Sequence, residues 1–303
     1  MDSITRPAGE RLVKFIVNPV SGNGRTRRIL PHLVGLARKL GVDFDLQVTQ
    51  APQHATELAG DRSSEFDVVV AVGGDGTVNE VAAGALKSNS VMGIIPTGTG
   101  NDFIRAVGRL KNLHEYIQRI VSGKIRSIDV GMLTLKNSDL IFVNGIGVGF
   151  DAEVARESLD IHRLKGLSRY MFAVVRTLYK YRATQMRIKL DETVLEGRTY
   201  LAAIGNGVSA GGGFLLTPKA LLDDGLLDAC IVSDVSVPRV LQVIPSVLRG
   251  SHEKHPEVTM HKAKRIRIET EAPVSIHRDG EVPPDRINQF EMRVESRCLN
   301  ILV

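Results

Sequence analysis

The chain has 303 residues, of which 43% are hydrophobic and 24% charged, a composition typical of a soluble globular protein with one large or two ordinary domains. No apolar stretch approaches the roughly 18–20 residues that span a bilayer, and the first residues contain no apolar signal core, so we expect a cytoplasmic protein. Two cysteines, Cys230 and Cys298, are too few for a disulfide framework or a cysteine-based metal site. The formal charge of +5 suits phosphate ligands, an anionic membrane or nucleic acid, and does not decide among them.

The first part of the chain alternates strand and helix signals. We predict strands at LVKFIVN, DFDLQVT, FDVVVAV and VMGIIP, with helices at RTRRILPHLVGLARKLG, QHATELAG and TVNEVAAGALK between them. This order implies an α/β fold with a doubly wound parallel sheet and helices on both faces. Loops at the carboxyl ends of such strands form a ligand crevice. Here those loops are NPVSGNG, GGDGT and PTGTGNDF.

The pattern changes near residue 128, where short strand-like runs begin to follow one another with hairpin-like gaps. Such runs are typical of an antiparallel sheet or sandwich. We expect one helix, HRLKGLSRYMFAVVRTLYKYR, to interrupt this part. The sequence therefore predicts a first domain over residues 1–128 and a mainly antiparallel β-sandwich domain over 129–303. Whether the last residues return to the first domain is left open.

Glycines mark the predicted crevice. Gly73, Gly74 and Gly76 directly follow an apolar strand, where backbone amides and the next helix can bind an anion such as phosphate. The alternative is an ordinary turn. The spacing is neither the dinucleotide fingerprint G-x-G-x-x-G nor a Walker loop, which requires Gly-Lys-Ser/Thr. In the loop PTGTGND, Asn101 or Asp102 could simply cap the following helix.

Two acidic segments lie in the second half, and each contains Asp-Gly, the commonest tight-turn dipeptide. In LLDDGLLD, the carboxylates of Asp223, Asp224 and Asp228 could also bind a hard cation such as Mg²⁺. In HRDGE, Glu281 would lie at a loop tip, where a general base can be placed.

The helix predicted over 163–182 has two chemically different sides. Leu164, Leu167, Met171, Val174, Val175 and Leu178 cluster on one side, and the basic residues lie opposite: Lys165, Arg169, Arg176 and Lys180. The basic side is either a solvated outer face or a stripe that docks on anionic lipid.

Six motifs in order resemble those of the bacterial diacylglycerol kinase-like lipid kinases, which share a catalytic domain with eukaryotic diacylglycerol, sphingosine and ceramide kinases. They are NPVSG, GGDGTVNE, PTGTGND, GVGFDA, GGGFLLTPKALLDDGLLD and DGE, and they cover nearly the whole chain. The family usually has Leu where Thr97 stands. GGDGT is shared with NAD kinases, which lack the DDGLLD and GTGND versions.

The resemblance implies that the first domain binds ATP and that the second is a β-sandwich. The implied nucleotide positions are Thr49, Gly73, Gly74, Asp75, Gly76, Thr77, Val78, Asn79 and Thr99, to which we add Asn18, Ser21, Gly22 and Asn101 from the neighbouring loops. It also implies Mg²⁺ at Asp224 with the backbone carbonyls of Leu221 and Leu226. Glu281 matches the family's proton acceptor, while Asp75 and Asp102 match carboxylates near the phosphates. Asp75 would face the phosphates through Mg²⁺ or water, or orient the attacking hydroxyl, and either Glu281 or Asp75 could be the base.

We therefore expect an ATP- and Mg²⁺-dependent lipid kinase that acts at the inner face of an anionic membrane, to which it binds peripherally. The acceptor is left open among diacylglycerol, phosphatidylglycerol, a ceramide-like lipid and an isoprenoid alcohol. The alternatives are an NAD kinase-like enzyme and a catalytically silent nucleotide- or lipid-binding regulator. The presence of all four expected carboxylates disfavours the regulator. We expect no nucleic-acid partner, and a homodimer is left open.

Overall fold

A computed structural model describes residues 11–63, 66–135, 138–161, 164 and 166–303 of the chain. The chain divides into two compact units. One contains the residues up to Ile128 together with Arg297–Val303, and the other contains Asp129–Ser296.

The first unit is built on four parallel strands with helices between them. The strands are β1 (Leu12–Val17), β2 (Asp43–Val48), β3 (Val68–Gly73) and β4 (Val91–Pro96), and the helices are α1 (Ser21–Lys39), α2 (His54–Gly60), α3 (Asp75–Ser88), α4 (Phe103–Val107) and α5 (Leu113–Ser122). The strands lie in the order β4-β3-β1-β2, all parallel. The predicted α/β fold with a parallel sheet is confirmed.

Burial explains why these segments are strands. All six residues of β3 are buried, as expected for a central strand covered on both faces. Lys14 in β1 is fully buried, and its charge is satisfied because Nζ donates to the Leu58 carbonyl at 3.1 Å and lies 3.8 Å from Asp61. The end of the chain adds to this sheet, since Ile301 pairs in parallel with Met92.

The second unit is mainly antiparallel, as predicted. Its strands are β5 (Ile125–Leu135), which begins in the first unit, β6 (Ser138–Phe142), β7 (Gly145–Gly149), β8 (Thr184–Leu190), β9 (Thr193–Gly205), β10 (Leu227–Ser233), β11 (Val258–Ala263), β12 (Arg265–Val274), β13 (Ile276–Arg278) and β14 (Ile287–Leu302), which ends in the first unit. Neighbouring strands pair in the order β11-β10-β9-β8-β12-β14, and β7 joins β9 to β13.

Three helices accompany these strands: α6 (Phe150–Leu159), α7 (Gly166–Lys180) and α8 (Val237–Leu248). The prediction of a single helix in this part was therefore wrong. The apolar run that ends in Phe150 resembled a continuing strand, and α8 is rich in β-branched residues and contains Pro245, which favour other structures. Among the residues that the structure describes, no helix is both long and apolar enough to cross a membrane.

Candidate active site

The first unit places three loops at one edge of its sheet, after β1, β3 and β4. The chain leaves β1 for β2 on one side and reaches β3 on the other, so the order of connections reverses between β1 and β3. In open α/β sheets such a switch point creates the crevice in which ligands bind. Asn18 follows β1 at this point, and Gly74 follows β3.

Hydrogen bonds join the three loops. The Asn18 amide nitrogen Nδ2 donates to Thr77 Oγ1 at 3.1 Å, which connects the first loop to α3. The Thr97 backbone N–H donates to the Gly73 carbonyl at 2.8 Å, which connects the third loop to the second. The hydroxyls of Thr26 and Thr97 lie 2.5 Å apart and are buried. Thr97, which stands where the family usually has Leu, therefore has a structural partner in α1.

Two glycines are required by close packing between loops. Gly22 has φ +60°, and a Cβ at this position would lie 2.1 Å from the Thr97 carbonyl oxygen. A Cβ on Gly98 would lie 2.5 Å from the Gly74 Cα. The sequence placed Gly22 among the nucleotide positions and gave no role to Gly98, whereas in the structure both glycines let the loop backbones lie in contact.

The start of α3, directly after β3, lies at this crevice. Gly74 is the N-cap residue in an extended conformation, and no side chain of the described residues caps the helix. The first N–H groups of a helix lack intrahelical partners and attract anions. The side chains of Thr77, Val78 and Asn79 are buried, so these predicted nucleotide positions can contact a ligand mainly through their backbone.

Two carboxylates, Asp75 and Asp102, lie together beside this helix start. Oδ1 of Asp75 accepts the backbone N–H of Asp102 at 2.8 Å and that of Phe103 at 3.3 Å. A Cβ on Gly100 would lie 2.8 Å from Asp75 Oδ2 and 3.3 Å from Asp102 Oδ2, so the second oxygens of both carboxylates point to one place. Burial and then the charge of Asp102 raise the pKa of Asp75 to about 6. Such a pair favours a cation or a proton between its members.

The remaining predicted nucleotide residues surround the same loops. Thr49 is half-buried directly after β2, Ser21 is half-buried near Gly74, and Thr99 is exposed. Asn101 has φ 52°, and its Nδ2 donates to the Gly98 carbonyl at 2.8 Å. Its Oδ1 is buried and has no hydrogen-bond partner among the described residues. A buried acceptor of this kind is expected to gain a partner when a ligand or water is present.

The capping alternative for this loop is not supported. Asp102 is the N-cap residue of α4, but its side chain makes no capping hydrogen bond there. Its carboxylate instead lies 3.8 Å from Nε of Arg105.

The ammonium group of Lys262, which belongs to β11, already lies against the predicted metal loop. The Lys262 ammonium lies 2.7 Å from Asp224 Oδ2 and 3.2 Å from Asp228 Oδ2. Burial opposes the charge on Lys262, yet Asp224 and Asp228 raise its pKa. The oxygen donors of Asp224 and the nearby carbonyls suit Mg²⁺. The ion would fit only after Lys262 leaves Asp224, so the residues as they stand do not hold it.

Glu281 follows a tight turn, as the Asp-Gly dipeptide predicts. Asp279 and Gly280 both have positive φ, 48° and 86°, and the backbones of Arg278 and Glu281 are hydrogen-bonded in both directions at 2.8 Å. The Glu281 carboxylate is exposed and pairs with Arg278 at 2.8 Å. The Asp279 carboxylate is buried and accepts the backbone N–H groups of residues 143–145, which fixes this turn to β7.

A buried polar cluster in the second unit was not identified from the sequence. The Asp151 carboxylate accepts a hydrogen bond from the Tyr170 hydroxyl and lies 2.7 Å from Nε2 of His277. Burial alone would raise the pKa of Asp151, but the charge and hydrogen bond of His277 and the hydrogen bond of Tyr170 hold it below its ordinary value. His277 lies 126 residues from Asp151 in the sequence, so spacing along the chain could not pair them. The motif GVGFDA contains Asp151 but does not indicate which residue it contacts.

The predicted basic stripe is partly neutralised. Arg176 and Lys180 both pair with Glu157, at 3.2 Å and 3.4 Å. Arg169 is half-buried, and Lys165 lies outside the described residues. Val175, which belongs to the predicted apolar side of the helix, is 44% exposed.

Both halves of the chain match known domain families. Residues 12–133 match the diacylglycerol kinase catalytic domain, and residues 144–303 match the YegS C-terminal NAD kinase beta sandwich-like domain. The chain is 31% identical to a diacylglycerol kinase of Staphylococcus epidermidis, over 88% of this chain and 85% of that protein. It is 32% identical to a diacylglycerol kinase of Staphylococcus saprophyticus, with 88% of each chain covered.

Solved structures agree on the fold. A Bacillus anthracis protein with a provisional diacylglycerol kinase assignment has a TM-score of 0.77 and 25% identity, with 97% of both chains covered. With catalytic and C-terminal domains both matched, the chain belongs to the diacylglycerol kinase-like family of lipid kinases. The resemblance inferred from the motifs is confirmed, and so is the prediction of a kinase that acts on lipid.

Proposed function

We propose that this kinase transfers the γ-phosphoryl group of ATP, as its Mg²⁺ complex, to the hydroxyl of diacylglycerol or a closely related lipid alcohol. The observation that carries the proposal is the Asp75–Asp102 pair beside the uncapped start of α3. Donors for phosphate oxygens and carboxylates for a cation meet there, at the switch point of the sheet. The relatives named diacylglycerol kinase support the choice of acceptor.

In this proposal the loops of the first unit bind the nucleotide. The amides at the start of α3 and those of Gly73, Gly74 and Gly76 would donate to phosphate oxygens. Asn18 and Ser21 would line one side of the phosphates, while Thr99 and Asn101 would line the other. Gly22 and Thr49 act through the backbone that places these loops, since Gly22 contacts Thr97 and the Thr49 N–H donates to Val17 at 2.9 Å.

The proposal assigns Mg²⁺ to the nucleotide and gives the two carboxylates separate tasks. Asp75 and Asp102 would hold the ion that accompanies ATP, because two adjacent negative charges beside a polyphosphate need a cation. Bound there, Mg²⁺ would neutralise charge on the transferred phosphoryl group. Glu281 would accept the proton of the lipid hydroxyl, because it matches the family's proton acceptor and its carboxylate is exposed.

Phosphate transfer from labelled ATP to lipids in mixed micelles tests this function. We expect labelled diacylglycerol product with Mg²⁺, none with chelator, and none from Asp75→Asn. Asp45→Asn is the matched control, because Asp45 is an exposed aspartate of the same unit and should leave activity unchanged. Efficient phosphorylation of NAD with no labelled lipid across a broad panel would refute the proposal.

We also propose that α7 docks the enzyme on an anionic membrane. Phe172, Val175 and Tyr179 are 48%, 44% and 68% exposed, and their spacing places them on one outward face of the helix. Arg169 and Arg176 lie beside this face at helical spacing. Exposed aromatic side chains next to basic ones are typical of helices that lie in the membrane interface.

Vesicle sedimentation can test this docking surface. Tyr179→Ser should weaken binding to vesicles of phosphatidylglycerol, while Val194→Ser, an exposed valine in β9, should leave it unchanged. Binding should also fall with added salt. Equal binding by both variants would exclude α7 as the docking surface.

A further inference from the structure

Both oxygens of the Asp224 carboxylate, where the family resemblance implies a divalent ion, already have protein partners. Oδ2 accepts a hydrogen bond from the Lys262 ammonium at 2.7 Å, and Oδ1 accepts the Leu226 N–H at 3.2 Å. A carboxylate oxygen binds Mg²⁺ at about 2.1 Å, so the ion would have to displace the donor that now lies against that oxygen. Lys262 therefore competes with a divalent ion for Asp224.

Strand pairing fixes the position of Lys262. Strands β10 and β11 are antiparallel, and their register places Lys262 directly opposite Asp228. Opposite residues in such a pair have Cβ atoms about 4.5–5.5 Å apart, so side chains of opposite charge can meet. The pairing is continuous from Leu227 opposite Ala263 to Val232 opposite Val258. The backbone ladder thus brings the ammonium to the loop, whether or not an ion is in solution.

The ammonium also compensates a second, more deeply buried carboxylate. The Asp228 side chain is only 5% exposed, and its Oδ2 lies 3.2 Å from Nζ of Lys262. A buried carboxylate is costly unless an opposite charge lies close to it. Lys262 is 35% exposed at its side chain, so one partly exposed lysine serves both Asp224 and Asp228.

Hydrogen bonds within the protein shape the rest of the loop. The buried Asp129 carboxylate accepts the Gly225 N–H at 2.7 Å, and the Asp129 N–H donates to the Leu222 carbonyl at 2.6 Å. Gly225 has φ +72°, which glycine adopts without strain. Among the residues that the structure describes, no group of three or more His, Cys, Asp or Glu side chains could hold a metal ion. The conformation of the loop is therefore explained by protein contacts.

We infer that Lys262 is a tethered counter-ion that replaces the divalent ion expected at Asp224. A structural metal makes stability depend on its concentration, because its binding energy is part of the folding energy. An ammonium group carried by the chain is present at every Mg²⁺ concentration. The second unit is consequently stable without divalent cations, and the Mg²⁺ of the proposed reaction belongs to the nucleotide alone.

Paramagnetic broadening by Mn²⁺ in the full-length protein without nucleotide tests the inference. Mn²⁺ binds the same oxygen ligands as Mg²⁺ and broadens the NMR signals of nearby amides, here those of Gly225 and Leu226. We expect Lys262→Met to lose these signals at a Mn²⁺ concentration about tenfold or more below that needed in the wild type, since one charge-assisted hydrogen bond no longer competes. Lys189→Met removes the same charge from an exposed lysine of β8 and should behave like the wild type.

Three results would overturn the inference. They are broadening in the wild type at the same Mn²⁺ concentration as in Lys262→Met, equal broadening in Lys189→Met and Lys262→Met, and no broadening in Lys262→Met. Should Lys262→Met fail to fold, hydrogen exchange of the wild type decides. Its β10 amides must exchange equally fast with Mg²⁺ and with chelator, and slower exchange with Mg²⁺ would show that the ion is structural. Neither measurement uses ATP or lipid, so failure of the proposed kinase reaction leaves both outcomes unchanged.

Discussion

Replacing Asp75 by Asn should stabilise the first unit while it abolishes catalysis. The pKa of Asp75 is about 6 against an ordinary value of 3.8, a rise of about two units, because burial and Asp102 oppose its charge. At about 1.4 kcal/mol per unit, ionised Asp75 destabilises the folded state by about 3 kcal/mol at neutral pH. Asn removes the charge and retains an oxygen that can accept the Asp102 N–H, so most of this penalty should disappear.

The sign of the pH dependence follows from proton linkage. The folded state holds the Asp75 proton more tightly than the unfolded state, so wild-type stability falls as pH rises from about 4 to about 6. Below that window Asp75 is protonated in both states and has no penalty, and above it the penalty is complete. The stabilisation in Asp75→Asn should therefore be near zero at about pH 4 and about 3 kcal/mol at about pH 8.

Native-state hydrogen exchange of buried β3 amides, without nucleotide or Mg²⁺, measures the stability of the first unit alone. Asp45→Asn, an exposed aspartate in β2, should change little at either pH. A gain that is the same at pH 4 and pH 8, or the absence of any gain at pH 8, would refute the link between burial, Asp102 and the raised pKa. Mg²⁺–ATP should stabilise the wild type more than the variant, because the ligand compensates the buried charge only where the charge exists.

Three further changes have defined outcomes. Glu281→Gln should slow lipid phosphorylation by about 10²–10⁴-fold with nearly unchanged ATP affinity in titration calorimetry; normal turnover would assign the base to Asp75 instead. Lys262→Met removes the ammonium group that pairs with Asp224, so the thermal unfolding temperature of this variant should rise with added Mg²⁺. A Mg²⁺ response equal to that of the wild type would show that Lys262 does not compete with the ion. Gly98→Ala should destabilise the protein by about 1–3 kcal/mol in urea unfolding, because its Cβ would meet the Gly74 backbone. Gly35→Ala in α1, where the Cβ would have open space, should stabilise the protein slightly. Equal effects of the two substitutions would contradict the close contact between the loops.

The alternating pattern of the first unit was readable from sequence because β1, β3 and β4 are short, mainly apolar and followed by glycine loops, while β2 alternates between apolar and polar residues. The buried run of β3 and the glycines after it predict strand, turn and helix in agreement with one another. The second unit was less readable. Helix α8 has a strand-like composition, and its apolar side chains pack against residues from distant segments, which no local pattern encodes.

The candidate site shows the same limit at the level of single residues. From the sequence, Asp75 and Asp102 were predicted to lie near the phosphates. The sequence did not show that their oxygens point to one place, or that burial and the charge of Asp102 raise the pKa of Asp75. The resemblance implied a metal at Asp224, but the sequence could not show that Lys262 lies against this carboxylate, because the two residues are 38 positions apart. Spacing along the chain identifies candidate residues that belong to the same loop. Pairs made by tertiary contact decide whether a carboxylate is charged, protonated or already neutralised by a lysine, and those states determine what each carboxylate can do.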